Sequence, residues 1–249
     1  MSSPSVAFQQ HPHTYHDTKA AYLLPNSCRT AEQERLAGQA AALKALVGGN
    51  VLHTTALPDS PDARFLDIGC GTGSVTYDIA RQFPSAKVYG LDLSAIQILD
   101  DKPPNVEFVK GDLFELAGHD ERLQLGSFDF VFSRLLICGM TDWVKYLKTV
   151  ASLLKRGAPC EFQEYTWEHY RDGKRVGLEW RWLQAARAGA KKRGLDLDCG
   201  KHMAGYAHNA GLVGITQKTY DVPAGTWMAK SNPQAEIMGI DSERAEIVF

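Results

Sequence analysis

The period of hydrophobic and polar positions changes once along the chain. From Thr30 to Val47 the sequence TAEQERLAGQAAALKALV sets Leu36, Ala40, Leu43 and Val47 at helical spacing and predicts a helix. Thr30, with Gln33 three residues on, reads as its N-cap, and Gly48-Gly49 as its end. Residues 58–62 form a turn-rich linker, and beyond it short apolar runs alternate with amphipathic segments. ARFLDIG, KVYGLDLS, NVEFVKGD, SFDFVFSRLL and APCEFQEYT read as strands buried on both faces. SVTYDIARQF, DWVKYLKTVASLL, LEWRWLQAARAGAKKR and residues 201–209 read as helices, and VGITQKTYDV as a sixth strand. The FELAGHDERLQLG connection holds little helix. Strands that alternate with helices require right-handed crossovers. The fold class is therefore α/β, a doubly wound and mostly parallel sheet behind a helical N-terminal extension. The natural division is residues 1–60, extension and cap helix, from residues 61–249, the main domain.

Composition narrows the class. The formal net charge is -2, which excludes the strongly basic balance of a protein held by phosphate charge. The five cysteines have no CxxC spacing and suggest neither a zinc knuckle nor a disulfide framework. No metal cluster is expected, and His11, His13 and His16 read as solvated. No run of about 18 apolar residues occurs, so no membrane-spanning helix is expected. The first residues lack the pattern of a signal peptide, and the expected location is the cytoplasm, with the nucleus as alternative.

The candidate chemistry lies in FLDIGCGTGSV. Gly69, Gly71 and Gly73 alternate between a strand and a helix, where glycine lets backbone turn tightly and approach a ligand. Asp92 and Asp112 close the next two strands, at the carboxyl edge where doubly wound sheets bind ligands. A dinucleotide fingerprint would need its third glycine one place later, where Ser74 stands. Asp67, two residues before the first glycine, is a poor neighbour for a pyrophosphate and a good one for a cation. S-adenosylmethionine, with its ammonium and sulfonium groups, suits such an edge. Either Asp92 or Asp112 alone could be a helix cap or turn former.

These residues resemble a class I S-adenosylmethionine-dependent methyltransferase. YHDTKAAYLLPNSCRTAEQERLAGQ, FPSAKVYGLDLSAIQ with PPNVEF, LLICGMTDWVKYLKTVASLLKRGAPCEFQEY and GLDLDCG are similar to the LaeA-like methyltransferases of fungal secondary metabolism. The last two phrases resemble the subgroup that includes gliotoxin thiomethyltransferase. The resemblance implies that Asp67, Gly69, Gly71 and Gly73 hold the methionine part of the cofactor. It gives the ribose to Asp92, the adenine to Leu93, Asp112 and Leu113, and the floor after the fourth strand to Ser133 and Arg134. Tyr15, Tyr22 and Asn26 would belong to a segment that folds over the cofactor. Against the family pattern, LKRGAP stands where LKPGG is usual, and only AEIVF at the end is strand-like. The last strand is therefore expected to be missing.

The expected reaction is methyl transfer to a sulfur, oxygen or nitrogen of a small fungal metabolite. A thiol needs little help, whereas a hydroxyl or amide needs a general base. His169, His202 and Glu164 are the candidates for that base. Each also fits a structural role, as do Trp180 and Trp182, while Tyr165 and Trp167 could line an apolar pocket. Three other outcomes stay compatible with the sequence: a regulatory protein acting through protein partners, a non-methylating rearrangement enzyme, and a truncated inactive copy. Direct nucleic-acid binding is not expected.

Overall fold

The computed structural model describes residues 30–96 and 101–222. Tyr15, Tyr22 and Asn26, and the strand-like end at AEIVF, lie outside the described residues. The first described helix, α1, runs Thr30–Leu46. The capping side chain itself lies outside the described set. Gly48 and Gly49 end the helix at φ 89° and 90°, with Gly49 N–H donating to the Lys44 carbonyl at 2.8 Å. That left-handed exit is available to glycine without a Cβ penalty.

Five strands follow: β1 (Arg64–Ile68), β2 (Lys87–Asp92), β3 (Val106–Lys110), β4 (Phe130–Arg134) and β5 (Cys160–Gln163). They pair in the order β3-β2-β1-β4-β5, every pair parallel, so the order reverses between β1 and β4. The crevice at such a reversal is where a doubly wound sheet takes its ligand. The helices between the strands are α2 (Ser74–Gln82), the one-turn α3 (Leu113–Leu116), and α4 (Trp143–Leu153). Two clusters sandwich the sheet. Val88, Phe65, Phe130 and Phe132 face α2, whereas Leu66, Tyr89, Val131 and Phe162 face α4 and later helices. Alternate residues of one strand feed opposite layers, which is why each strand reads as an unbroken apolar run.

Beyond β5 the chain departs from the expectation twice. Residues His169–Arg171 and Lys174–Val176 form an antiparallel hairpin, β6 and β7, turning at Asp172 (φ 50°) and Gly173 (φ 72°). Conversely, the sixth strand expected over VGITQKTYDV forms no ladder among the described residues, where Gln217 alone makes a β-bridge. Gly214 at φ 67° breaks the run, and Val213 and Ile215 face solvent instead of a core. The two last helices, α5 (Arg181–Lys192) and α6 (Cys199–Asn209), occur as expected, with α6 packing on α4.

Long-range polar anchors fix the segment after α1 to the sheet. Glu161, fully buried in β5, accepts from the backbone N–H groups of His53 and Thr54 and from Thr54 Oγ1, each at about 3 Å. Lys44 of α1 reaches Asp78 of α2 at 2.8 Å. No described helix is long and apolar enough to cross a membrane.

Candidate cofactor site at the carboxyl edge of the sheet

The loop after β1 is tied to the end of β2. The Leu91 carbonyl accepts from Gly69 N–H at 2.8 Å and from Cys70 N–H at 3.1 Å. All three glycines have positive φ: 68° at Gly69, 56° at Gly71 and 80° at Gly73. A Cβ on Gly69 would overlap Leu136 Cδ2, and one on Gly73 would come within 2.6 Å of Phe108 Cζ. Among the described residues a Cβ on Gly71 would meet Leu36 Cδ1 of α1 at 3.9 Å, an ordinary contact. All three glycines suit the backbone, and at the outer two a Cβ would also displace the Leu136 or Phe108 side chain.

Asp92 shapes this loop. Its Oδ2 accepts from Gly71 N–H at 2.9 Å and its Oδ1 from Ser94 N–H at 2.8 Å. Its carboxylate thus stands at the end of β2 against the glycine loop, at the edge where such sheets take their ligands. Asp67 lies deeper, 2% exposed, and its Oδ2 accepts from Thr76 Oγ1 of α2 at 2.6 Å. Burial pushes its carboxyl up to about 6, the Thr76 hydroxyl and the Arg134 charge working against that rise. Arg134 closes β4, and its side chain makes no hydrogen bond or ion pair among the described residues; burial lowers its proton affinity, with the Asp67 carboxylate working against that. Two opposite charges therefore stand at the ends of adjacent strands without closing on each other.

The remaining cofactor candidates divide. Asp112 Oδ1 accepts from Phe114 N–H at 2.8 Å and caps α3, the bland role open to it from the start. Leu93 is partly exposed next to Asp92, but Leu113 is buried in the core layer beneath α3. Ser133 has no exposed surface; its side chain is enclosed in β4 beside Tyr146, so only its backbone can face the crevice.

The three candidate bases are not gathered at the glycine loop. His202 lies exposed on α6, its Nδ1 2.7 Å from Asp196 Oδ2, which also accepts from Tyr206 at 2.8 Å. His169 belongs to the hairpin, its ring 5.2 Å from that of Trp180 and 5.7 Å from that of Trp182. Glu164 is sealed inside the molecule and takes the backbone N–H groups of Leu136 and Ile137. Each is engaged in a structural contact.

The sequence reading missed a polar pair between two distant segments. His53 Nε2 is 3.4 Å from Tyr220 Oη, beside an apolar group of Ala42, Leu43, Leu135, Tyr165 and Val222. Burial lowers the proton affinity of His53. Nothing local in LHTT marks it, because its partner is 167 residues away.

Residues 39–217 match the family model described as a methyltransferase domain. The chain is 30% identical over 152 residues to the secondary metabolism regulator laeA of Coprinopsis cinerea, covering 57% of this chain and 37% of that protein. It is 26% identical over 212 residues to the N-methyltransferase tcpN of Claviceps purpurea, covering 83% and 74%. It spans between 37% and 58% of the length of the first curated relatives it matches. In fold it is similar to an S-adenosylmethionine-dependent methyltransferase from Mesorhizobium loti, with TM-score 0.50 and 20% identity over 84% of this chain and 96% of that one.

Proposed function

Because the chain belongs to the methyltransferase-domain family, we propose that it transfers a methyl group from S-adenosylmethionine to a small-molecule acceptor of fungal secondary metabolism. The observation that carries this reading is the edge of β1 and β2: three glycines at positive φ, with Asp92 bonded to the N–H of the middle one. The residues present fit the cofactor. Gly71, at φ 56°, brings bare backbone to the loop, and Asp92 is the carboxylate at the end of β2 that we assign to the ribose hydroxyls. Asp67 and Arg134 offer one charge of each sign, matching the ammonium and carboxylate of an amino-acid tail. Leu93 is available to the adenine.

When bound, the cofactor supplies a methyl group already activated by its sulfonium. What the chain must add is orientation and exclusion of water. The apolar group around Leu135 and Tyr165, capped by the His53–Tyr220 pair, lies at the ends of β4 and β5 and is the wall we assign to the acceptor. With His169, His202 and Glu164 committed elsewhere, an acceptor that ionises readily is favoured, and a thiol is the simplest such group. A regulatory role through protein partners is the second reading. It is favoured by the similarity to laeA proteins, one of which matches 88% of this chain. We place the protein in the cytoplasm.

The test is mass spectrometry of reactions containing S-adenosylmethionine and small thiols, alcohols or amines. Methyl transfer adds about 14 Da per event and yields an equal amount of S-adenosylhomocysteine; a rearrangement adds nothing. Turnover absent on all acceptors, with a stable protein partner co-purified, supports the regulatory reading instead.

A further inference from the structure

Glu164 follows β5 and is fully enclosed, an expensive place for a carboxyl group unless it is used. Its Oε1 accepts from Leu136 N–H at 2.7 Å and its Oε2 from Ile137 N–H at 3.2 Å. These two amides open the 3-10 turn Leu136–Cys138, and the start of a helical turn has no internal partners for them. Just before it, Leu135 stands at φ 57°, a left-handed conformation that a leucine adopts only under restraint. Leu135 N–H is held in turn by the Gln163 carbonyl at 2.9 Å. The restraint thus comes from the end of the neighbouring strand, through one backbone bond and one carboxyl group.

What the turn positions is the glycine loop. Leu136 lies so close to Gly69 that a Cβ there would overlap Leu136 Cδ2. On its far side Glu164 is backed by α6, where Cys199 Sγ lies 3.9 Å from Oε2. Gly200 of α6 permits that approach, since a Cβ on it would be 2.9 Å from the Glu164 carbonyl oxygen. We infer that Glu164 is a positioning residue for cofactor binding: its carboxyl group locks the turn after β4, and through Leu136 it fixes the shape of the loop around Gly69. This inference rests on the reading of that loop as the cofactor site.

The lock has a charge state that changes near neutrality. Burial pushes the Glu164 carboxyl up to about 8, the two backbone N–H donors holding it from rising further. The groups facing it stay neutral there. Cys138 in the same turn is pushed up to about 11 and Tyr165 to about 12, while Cys199 on α6 and Tyr146 on α4 are held well above their ordinary values. Arg134, near Tyr165, remains a cation. Asp67, near Tyr146, has changed charge by about pH 6. Ionised Glu164 accepts from both amides; protonated, one oxygen becomes a donor and Ile137 N–H loses its partner.

Glu164→Gln is a fixed copy of the protonated form. S-adenosylhomocysteine binding is measured by calorimetry for both proteins, so that titration of the ligand's own amino group cancels in the ratio of affinities. The two should bind almost equally at about pH 6.5. Wild type should gain toward about tenfold by about pH 9, the worth of one charge-assisted hydrogen bond. Leu136→Ala should weaken binding several-fold without changing the pH profile. A Gln-to-wild-type ratio that stays constant across this range overturns the inference. If Glu164→Gln does not fold, Leu136→Ala decides, and affinity within twofold of wild type overturns it. Failure of wild type to bind S-adenosylhomocysteine at any pH overturns the cofactor reading and this inference with it.

Discussion

Asp67 shows how much of this site is set by single side chains. A carboxylate shut away from water is penalised, and here burial raises its pKa to about 6 despite a hydroxyl donor and a nearby guanidinium. A bound ammonium group favours the ionised form, so binding must expel the proton at low pH. Affinity for S-adenosylmethionine should therefore fall by up to about tenfold per pH unit below 6 and level off above it. Asp67→Asn should bind more weakly above that pH and lose the slope, which calorimetry across pH would show. Asp92 bonds the glycine loop, and the ribose is assigned to it as well. Asp92→Ala should weaken cofactor binding about 100-fold, since hydrogen bonds to charged groups contribute about 1.5–3 kcal/mol each. A measured loss under threefold rejects the ribose assignment. Both aspartates were legible from their place at strand ends. Their partners were not, because Thr76 and Gly71 meet them only once the sheet has formed. Glu164 was legible as a chemically interesting residue, but its hold on two backbone amides was not, because they lie 27 and 28 residues away.

At the scale of elements, the five parallel strands could be read because strands buried on both faces leave unbroken apolar runs. The hairpin could not be read that way. HYRDGKRV has little apolar alternation, and its one local signal is Asp172-Gly173, the dipeptide suited to a two-residue turn with φ above zero. In VGITQKTYDV the β-branched residues suggest a strand, and among the described residues this appears as a single β-bridge at Gln217. The segment after α1 depends on Glu161, which holds two backbone N–H groups and one hydroxyl. Glu161→Ala leaves those groups stranded, and should cost about 3 kcal/mol of stability in chemical denaturation. Faster amide exchange should appear at His53 and Thr54 before it appears in β1. Gly69→Ala should also destabilise, by about 1–3 kcal/mol, since φ is 68° and Leu136 must give way.

For the whole molecule, two buried carboxyls contribute a pH dependence of folding opposite in sign to that of Asp120, Glu168 and Asp196, which are held below their ordinary values. Asp67 is raised from 3.8 to about 6 and Glu164 from 4.5 to about 8, so each binds its proton more tightly folded than unfolded. Stability from these groups is complete below about pH 4 and is lost as pH rises through 6 and then 8. Urea denaturation should show the Asp67→Asn and Glu164→Gln proteins less sensitive to that rise than wild type. The same frame joins stability to function: the sheet order places Asp67, Arg134 and the glycine loop at one reversal point. The most direct test of that account is calorimetric titration of the wild-type protein with S-adenosylmethionine, with NAD as the control. Micromolar, near-stoichiometric binding of S-adenosylmethionine and none of NAD is the predicted result. A folded protein that takes up neither, or that prefers NAD, would contradict it.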